Sequence, residues 1–288
     1  MIQTNGEKIF GVLNYVLLTL LSLTMLLPFI HLLAKALSSE AYVLAKDITF
    51  WPIGLQFNSF NYVLQNKQFL TTFGNSVFIT VVGTFLSLLI TMLSAYPLSK
   101  QSFPAKRVIL FLYVLTMFFS GGIIPTYLVV KAIGLTNTLW AMIIPGLLAP
   151  FNLILMRSFF MSIPDALDES ARMDGASNTR ILFTIYLPLS MSSIATITMF
   201  YAVGYWNNFF SAMLYITDRN LMPLQIYLKS IIQNESSVSV GDIEALLNTS
   251  PESIRAATII CAVVPILLIY PFLQKYFVKG ALVGAVKG

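Results

Sequence analysis

Residues 164–188, PDALDESARMDGASNTRILFTIYLP, form the one polar segment with a helical pattern that lies between strongly apolar stretches. Pro164 suits the first turn of a helix, where the missing amide hydrogen would have no partner in any case. Three acids follow, at positions that complement the positive end of a helix dipole: Asp165, Asp168 and Glu169. Gly175 follows Asp174 and predicts a turn. The segment therefore predicts a short amphipathic helix, a turn, and a new apolar helix from about Ile181.

The composition of the chain is that of an integral membrane protein. Of its 288 residues, 57% are hydrophobic and only 10% are charged, whereas about a quarter of a soluble domain is charged. A helical span needs about 20 apolar residues, so we expect an all-α membrane protein with six transmembrane helices in a single domain, residues 1–288. The predicted spans are residues 9–33, 72–96, 108–130, 139–160, 185–216 and 254–277, and residues 161–184 form the loop between spans four and five.

Helix breakers interrupt the third, the fourth and the last of the predicted spans, the last at Pro265 and Pro271. The third span is interrupted by Gly121, Gly122 and Pro125. Such a break frees backbone polar groups, which a membrane tolerates only where protein or a water-filled cavity meets them. We therefore expect the break in the third span to point inward. The fourth span carries three breakers and an amide near its middle: Pro145, Gly146, Pro150 and Asn152.

The basic residues indicate how the spans are oriented. With the first residue inside, six spans place ten of the 17 Lys and Arg residues in the cytoplasm, and the inner side carries a net charge of +5 against zero outside. Cytoplasmic loops carry the excess of basic residues in membrane proteins. We therefore expect both termini in the cytoplasm, and the basic balance need not indicate an acidic ligand.

The sequence offers little catalytic or metal-binding chemistry. Cys261 and His31 are the single cysteine and histidine, which excludes a disulfide framework and most cysteine or histidine metal sites. No phosphate-binding lysine loop, HExxH, GxSxG or dinucleotide fingerprint is present. Ion-coupled transport would need ionisable residues within the spans, and none lies well inside any predicted span. We expect no catalytic residue, no metal and no cofactor in this chain.

The spans do carry neutral groups that combine a polar atom with an apolar surface. They are Tyr113, Thr116, Tyr127, Asn152, Tyr201, Trp206, Asn207 and Asn208. Such groups suit a sugar, whose hydroxyls need hydrogen bonds and whose ring faces stack on aromatic rings. Asn and Tyr also bond neighbouring helices, and Trp also marks the membrane interface. From this set, the candidates for a substrate pathway are Tyr127, Asn152, Trp206, Asn207 and Asn208.

Residues 164–188 resemble the cytoplasmic loop of permease subunits of bacterial ABC importers. The residues that match its pattern are Glu169, Ser170, Ala171, Asp174, Gly175, Ala176, Phe183, Leu187 and Pro188. Only Ser170 departs from the pattern, which usually has Ala there. In that family the loop is the coupling helix, which sits in a cleft of a cytoplasmic ATPase subunit. Taken without the resemblance, the residues are also compatible with an ordinary loop helix. The resemblance implies the coupling role for Asp168, Glu169, Ser170, Ala171, Asp174, Gly175 and Ala176.

Four further segments resemble carbohydrate importer permeases of the maltose type, in the branch that imports oligosaccharides derived from polysaccharides. They are residues 121–127 (GGIIPTY), 134–138 (GLTNT), 206–207 (WN) and 279–288 (KGALVGAVKG). The resemblance implies a type I ABC importer permease in the bacterial cytoplasmic (inner) membrane.

The partners that this resemblance implies are a second homologous permease subunit and two ATPase subunits, which bind the ATP and magnesium. An extracytoplasmic sugar-binding protein would contact residues 217–253 and deliver an oligosaccharide. Membrane lipid surrounds the spans, and no nucleic acid is expected to bind.

Three alternatives remain open at this point. The chain would also fit an ABC importer permease for another solute, such as an amino acid or phosphate, although a small anion would be expected to need fixed cations in the spans. A membrane-embedded enzyme acting on lipid lacks intramembrane catalytic residues. A membrane scaffold that transports nothing would show no sugar-dependent ATP hydrolysis in its complex.

Overall fold

The computed structural model of the chain describes residues 4–233 and 250–285, and the regular structure in these two ranges consists of helices only. Residues 234–249, which belong to the segment 217–253 that is expected to contact a binding protein, and residues 286–288 lie outside the described residues. The helices are α1 (Asn5–Ala36), α2 (Glu40–Leu44), α3 (Asn58–Gln65), α4 (Lys67–Ser99), α5 (Lys106–Phe118), α6 (Ile123–Ala132), α7 (Trp140–Gly146), α8 (Pro150–Phe160), α9 (Asp165–Met173), α10 (Asn178–Leu189), α11 (Met191–Trp206), α12 (Phe210–Tyr215), α13 (Leu224–Gln233) and α14 (Pro251–Ala285).

Three single helices are long and apolar enough to cross a membrane: α1, α4 and the part of α14 that runs from Pro251 to Ile269. Three bent pairs reach the same length and composition when each pair is taken as one span, namely α5 with α6, α7 with α8, and α10 with α11. The described residues thus contain three such helices, or up to six spans. The prediction of an all-α membrane fold is confirmed, while the number of six spans stays a prediction.

The bends fall where the backbone loses regular helical hydrogen bonds. Between α5 and α6 the chain turns by 116°, and Gly122 has a left-handed φ of +85° there, which glycine adopts without steric cost. The bend between α7 and α8 is 52° and ends at Pro150. The α10–α11 bend of 87° follows Pro188, so the structure divides residues 185–216 among α10, α11 and α12.

The contacts divide the chain into two compact units, of which the first comprises Met1–Leu70 and Leu228–Pro265. Within it, Ala34, Val43 and Ile48 form a small buried cluster, and Lys35 makes an ion pair with Glu252. The assignment of residues 1–288 to one domain stays a prediction.

The second unit comprises Thr71–Tyr227 and Ile266–Gly288 and holds the larger core. Side chains from α4, α8, α10 and α11 meet there and are fully buried: Ile79, Leu153, Met156, Ile181 and Ile197. This core carries two polar features at its margin, the helix α9 and a cavity beside the α7–α8 bend.

Candidate functional site

The helix α9 is short because the sequence stops it at both ends. Pro164 precedes its first residue, and Gly175 follows its C-terminal cap with a φ of +77°. The amide of Ala176 donates to the carbonyl of Ala171 at 2.9 Å, and the amide of Gly175 donates to Arg172 at 3.0 Å. This pair of bonds is the Schellman arrangement, which satisfies the last carbonyls of a helix and needs a left-handed residue. The turn predicted at Gly175 lies there.

Asp168 points from α9 to the end of α4 and is buried. Its Oδ1 accepts a hydrogen bond of 2.5 Å from Nζ of Lys100, the residue that follows α4. Its Oδ2 accepts a hydrogen bond of 2.8 Å from Nε of Arg172, one turn further along α9. The Lys100 and Asp168 side chains are only 13% and 11% exposed. A buried carboxylate is thus held by two cations.

Two tyrosines enclose this ion pair. The Lys100 ammonium lies 4.7 Å from the ring centre of Tyr96 and 4.2 Å from that of Tyr186, and it donates to the Tyr186 hydroxyl at 2.5 Å. The two rings meet edge to face at 5.0 Å. Rings placed in this way attract a cation while they exclude water. Tyr96, Lys100, Asp168, Arg172 and Tyr186 are called the Asp168 junction below.

The charges of the Asp168 junction decide the protonation state of its carboxyl group. Burial alone would raise the pKa of Asp168, because it disfavours the charged form. The hydrogen bonds from Lys100 and Arg172 outweigh burial and hold the pKa below its usual value. The same carboxylate raises the pKa of Arg172. Asp168 is therefore an anchor and is not poised to transfer a proton.

The other predicted coupling residues differ from Asp168 in their exposure. Glu169, Ser170, Asp174 and Gly175 are exposed, while Ala171 and Ala176 are half-buried against the core. Met173 lies on α9 as well, and its apolar side chain is 89% exposed. One side of α9 is thus fastened to the core, and the other side is open.

The second feature is a cavity of about 390 Å³, which lies within the usual range for small-molecule sites. It is lined by Thr126, Ala141, Met142, Pro145, Gly146, Ala149, Asn152, Phe200, Tyr201, Gly204, Tyr205, Asn208, Ser211 and Tyr215. None of these described residues carries a charge. Their polar atoms are amides and hydroxyls, and aromatic rings supply much of the apolar wall.

Two tyrosines of α11 form hydrogen bonds with backbone groups at the α7–α8 bend. The Tyr201 hydroxyl accepts a hydrogen bond of 3.1 Å from the amide of Ala149, and the Tyr205 hydroxyl donates one of 3.2 Å to the carbonyl of Ile143. A bend in a membrane helix frees such groups, and each must find a partner within the protein. These two hydrogen bonds therefore stabilise the bend and the side of the cavity that it forms.

The structure places the five predicted pathway residues in different surroundings. Asn152 and Asn208 line the cavity. Tyr127 stacks on Tyr215, a lining residue, with ring centres 6.2 Å apart and an angle of 3° between the planes. Trp206 is buried against Phe73, at 6.0 Å between ring centres, and does not line the cavity. The side chain of Asn207 donates to the carbonyl of Val203 on its own helix.

The GLTNT segment acts through one amide. Asn137 has a left-handed φ of 57°, and its Oδ1 accepts hydrogen bonds from the amide and hydroxyl of Thr217, at 2.7 and 2.9 Å, and from the amide of Asp218, at 3.3 Å. The backbone amide of Asn137 donates to the carbonyl of Tyr215 at 2.9 Å. One side chain thus shapes the chain as it leaves α12.

Side chains of α4 hold the next part of the same connection. Asn75 donates to the carbonyls of Asn220 and Met222, at 2.8 and 3.0 Å. The Ser76 hydroxyl accepts a hydrogen bond of 2.8 Å from the amide of Leu224, the first residue of α13. The residues that link α12 to α13 are therefore tied to the end of α4 that is remote from Lys100.

Sequence reasoning missed Lys100, Tyr96 and Tyr186 as partners of Asp168. A signal exists in the sequence, because Lys100 is the first charge after a long apolar helix, but its partner is 68 residues away. The chemistry that the described residues offer is binding and positioning. No group of three or more His, Cys, Asp or Glu side chains in the described ranges could hold a metal ion.

Comparison with known proteins identifies the family of this chain. Residues 80–283 match the family described as "Binding-protein-dependent transport system inner membrane component". The chain is 41% identical over 285 residues to the polygalacturonan/rhamnogalacturonan transport system permease protein YtcP of Bacillus subtilis, which covers 98% of this chain and 99% of that protein. Protein LplC of Bacillus subtilis is 42% identical over 289 residues, or 99% and 97% of the two chains.

A solved structure shows the same fold. The crystal structure of a bacterial ABC transporter involved in the import of the acidic polysaccharide alginate contains a chain that is 36% identical, with a TM-score of 0.90, and covers 96% of this chain and 99% of that one. A family match over most of the chain, relatives matched along their full length and an agreeing fold lead to one conclusion. The chain belongs to the family of binding-protein-dependent transport system inner membrane components, and it is a multi-pass permease of the inner membrane.

Proposed function

We propose that this chain is one transmembrane subunit of an ATP-driven importer of oligosaccharides derived from polysaccharides, and that it forms half of the translocation pathway. The relatives support the substrate class, since one is named for polygalacturonan and rhamnogalacturonan and the solved transporter is involved in the import of alginate. The single observation that carries the coupling part of the proposal is the attachment of α9, with one face open, to the end of α4 by Asp168.

In this proposal the open face of α9 docks into a cytoplasmic ATPase subunit. That face offers an exposed apolar side chain in Met173, a charge in Glu169 and small residues that permit close approach. Movement of the ATPase would be passed to α4, because α9 cannot shift without carrying Lys100 or breaking a buried ion pair. The other matched residues contribute the helix end: Ser170, Ala171, Asp174, Gly175 and Ala176.

The remaining partners follow from the same assignment. A second homologous permease completes the pathway, and two ATPase subunits bind the ATP and magnesium. An extracytoplasmic binding protein delivers the sugar and contacts the connection after α12. Both termini then lie in the cytoplasm, together with α9, as the distribution of basic residues indicates.

The mechanism is alternating access. ATP binding closes the ATPase pair, α9 moves as a rigid body, and the helices open outward to accept a sugar from the docked binding protein. Hydrolysis restores the inward-facing packing. Such a cycle needs two alternative helix packings whose balance is shifted from one end. The chain itself contributes positioning and a pathway, and ATP hydrolysis belongs to the partner.

Reconstitution of the complex in liposomes tests this proposal. The permease pair, the ATPase and the binding protein are assembled, and ATP hydrolysis is measured against a panel of neutral and uronic-acid oligosaccharides. We expect at least one to raise the rate in the wild type, and Glu169→Lys to abolish the increase while assembly is retained. Asp165→Lys is the matched control, because it makes the same charge change on an exposed residue of α9 outside the matched pattern.

Two results would count against the proposal. If an assembled complex responded to no sugar but did respond to an amino acid or phosphate, the permease assignment would stand and the substrate class would be wrong. If Glu169→Lys behaved like Asp165→Lys and both imported sugar normally, the coupling role of the exposed face of α9 would be wrong.

A further inference from the structure

The cavity beside the α7–α8 bend is lined by a buried amide side chain, Asn152, that makes no hydrogen bond within the part of the chain that the structure describes. Asn152 is only 6% exposed, and it lines the cavity. Its amide opens onto the cavity and is not among the fully enclosed polar atoms of the described residues. Leaving a buried polar group without a partner is costly, and native structures with such a group usually have a reason for it.

Two of the neighbouring tyrosine hydroxyls are engaged within the described part of the protein, unlike the hydroxyl of Tyr215 and the amide of Asn152. The Tyr201 hydroxyl bonds Thr91 at 2.7 Å as well as the amide of Ala149. The Tyr205 hydroxyl bonds Ser87 at 2.8 Å as well as the carbonyl of Ile143. Both hydroxyls are therefore engaged within the protein. The Asn152 amide, with two donor hydrogens and one acceptor oxygen, is left to face the cavity.

We propose that this cavity is a subsite for one uncharged sugar ring and that Asn152 is the residue that recognises the hydroxyls of that ring. The inference rests on the proposed function, since it assumes that a sugar passes through this subunit. An amide that both donates and accepts matches two adjacent hydroxyls, each of which can do the same. Phe200 and the stacked pair of Tyr127 and Tyr215 add aromatic surface beside it.

The charge of the ligand follows from the lining. A carboxylate moved into this cavity would lose its water and find no cation among the described lining residues. An unpaired buried charge is far more expensive than a buried neutral polar group. The subsite should therefore favour a neutral ring, or a uronic acid whose carboxyl is esterified, over a free uronate.

A thiol placed in the cavity gives a direct readout of occupancy. The chain has a single cysteine, so a Cys261→Ser background with Ser211→Cys carries one reporter among the lining residues. The rate of modification by N-ethylmaleimide is measured on the purified complex without binding protein. A short oligogalacturonide and the same oligomer with its carboxyl groups methyl-esterified serve as competitors, because they differ in charge and share their ring.

We expect the esterified oligomer to protect the Ser211→Cys thiol at roughly tenfold lower concentration than the free acid. Adding Asn152→Leu should raise the protecting concentration roughly tenfold, the effect of losing one or two net hydrogen bonds. Ser158→Cys is the control reporter. It lies on α8 as well, but it is exposed and outside the cavity, so neither sugar should protect it.

Asn152→Asp keeps the size of the side chain and is the second variant if Asn152→Leu does not assemble with its partners. It should weaken protection by both sugars, and by the free acid most. Equal protection by the two sugars, or better protection by the free acid, would overturn the preference for an uncharged ring. Absence of protection, or protection unchanged by the Asn152 variants, would overturn the subsite.

Failure of the subsite is distinguishable from failure of the proposed function. A wild-type complex whose ATP hydrolysis responds to sugar, but whose Ser211→Cys thiol is never protected, refutes only the subsite. A complex that responds to no sugar refutes the importer of oligosaccharides, and the subsite is then refuted with it.

Discussion

Lys100 and Asp168 are 68 residues apart in sequence, yet the lysine Nζ lies 2.5 Å from the aspartate Oδ1 in a nearly closed pocket. Removal of one partner of a buried ion pair leaves a charge without compensation, which costs about 3 kcal/mol or more. We expect Asp168→Ala to lower the stability of the assembled complex by about this amount, as measured by denaturant titration. Asp165→Ala, an exposed change on the same helix, should have almost no effect.

Replacement of both Lys100 and Asp168 distinguishes the effect of an unpaired charge from the effect of lost packing. Lys100→Met together with Asp168→Leu removes both charges and fills the space with apolar groups, which is often neutral or stabilising for a buried pair. The double variant should therefore recover most of the stability that Asp168→Ala loses. If the single variant is no less stable than Asp165→Ala, the Asp168 junction does not hold α9 in place.

The Asp168 junction should respond to acid in one direction. Because the folded protein favours the carboxylate, the pKa of Asp168 lies below the ordinary value of 3.8. The groups that face it are Lys100, Arg172, Tyr96 and Tyr186, and Lys, Arg and Tyr side chains ordinarily stay protonated at such pH. The stabilisation is therefore complete above about pH 3.8 and is lost as the pH falls through the folded pKa.

Hydrogen exchange in α9 checks this dependence. After correction for intrinsic rates, protection of the α9 amides should be constant from pH 7 to about pH 5 and should decrease below about pH 4. Asp168→Asn cannot titrate, so its protection should be lower at neutral pH and should not change in the acid range. A wild-type protein whose α9 loosens above pH 5 would contradict the assignment.

Gly175 tests whether the end of α9 needs a conformation or a small residue. A Cβ added there would meet nothing within 4 Å, so space within the chain is not the constraint. The φ of +77° is the constraint, and a left-handed conformation costs a side-chain-bearing residue about 1–2 kcal/mol. Gly175→Val should fray α9 and reduce sugar-stimulated ATP hydrolysis, whereas Gly175→Asn, which tolerates this region, should retain most of it.

The opposite result for the two Gly175 variants would have a different meaning. If Gly175→Asn were as inactive as Gly175→Val while α9 stayed protected from hydrogen exchange, close approach of the partner ATPase would be the reason for glycine at this position.

The two tyrosines at the α7–α8 bend should be costly to shorten. Tyr201→Phe leaves the amide of Ala149 without its partner, and Tyr205→Phe does the same to the carbonyl of Ile143. Each change should cost about 1–3 kcal/mol, the usual penalty for a buried backbone group left unsatisfied. Thermal unfolding of the complex measures it. Tyr215→Phe, which keeps a buried ring and its stacking, should change stability least, and equal losses in all three would argue against backbone repair.

Asn137 offers a separate test on the connection after α12. Only its Oδ1 accepts the bonds from Thr217 and Asp218, so Asn137→Asp should preserve them. Asn137→Gly keeps the left-handed backbone accessible but removes the acceptor. We expect Asn137→Gly to reduce stimulation of ATP hydrolysis by the loaded binding protein several-fold, and Asn137→Asp to stay near the wild type. Equal activity of both variants would show that this acceptor does not matter.

Local features of the fold could be predicted from the sequence because they depend on neighbours in the chain. The start of α9 follows from acids that complement a helix dipole, and the turn at Gly175 and the breaks near Gly122 and Pro150 follow from dihedral preferences and missing donors. Apolar runs of sufficient length predict membrane helices in the same way. None of these features requires knowledge of what a helix packs against.

The remaining features depend on contacts between distant parts of the chain. The acidic cluster predicts that Asp168 supports a helix dipole, but only the packed structure shows that it is buried against Lys100. Asn152 and Trp206 are similar candidates in sequence, since both combine polarity with an apolar neighbourhood. Packing separates them, because Asn152 reaches a cavity and Trp206 is buried against Phe73.

The uninterrupted length of α4 has a consequence for timing. Asn75 holds the connection to α13 near one end, and Lys100 receives α9 just past the other, roughly 36 Å away at 1.5 Å per residue. Between Asn75 and Lys100 lies a single α-helix. A tilt of α4 that is imposed at one end therefore moves the other end at the same time. The two faces of the membrane should therefore change state synchronously.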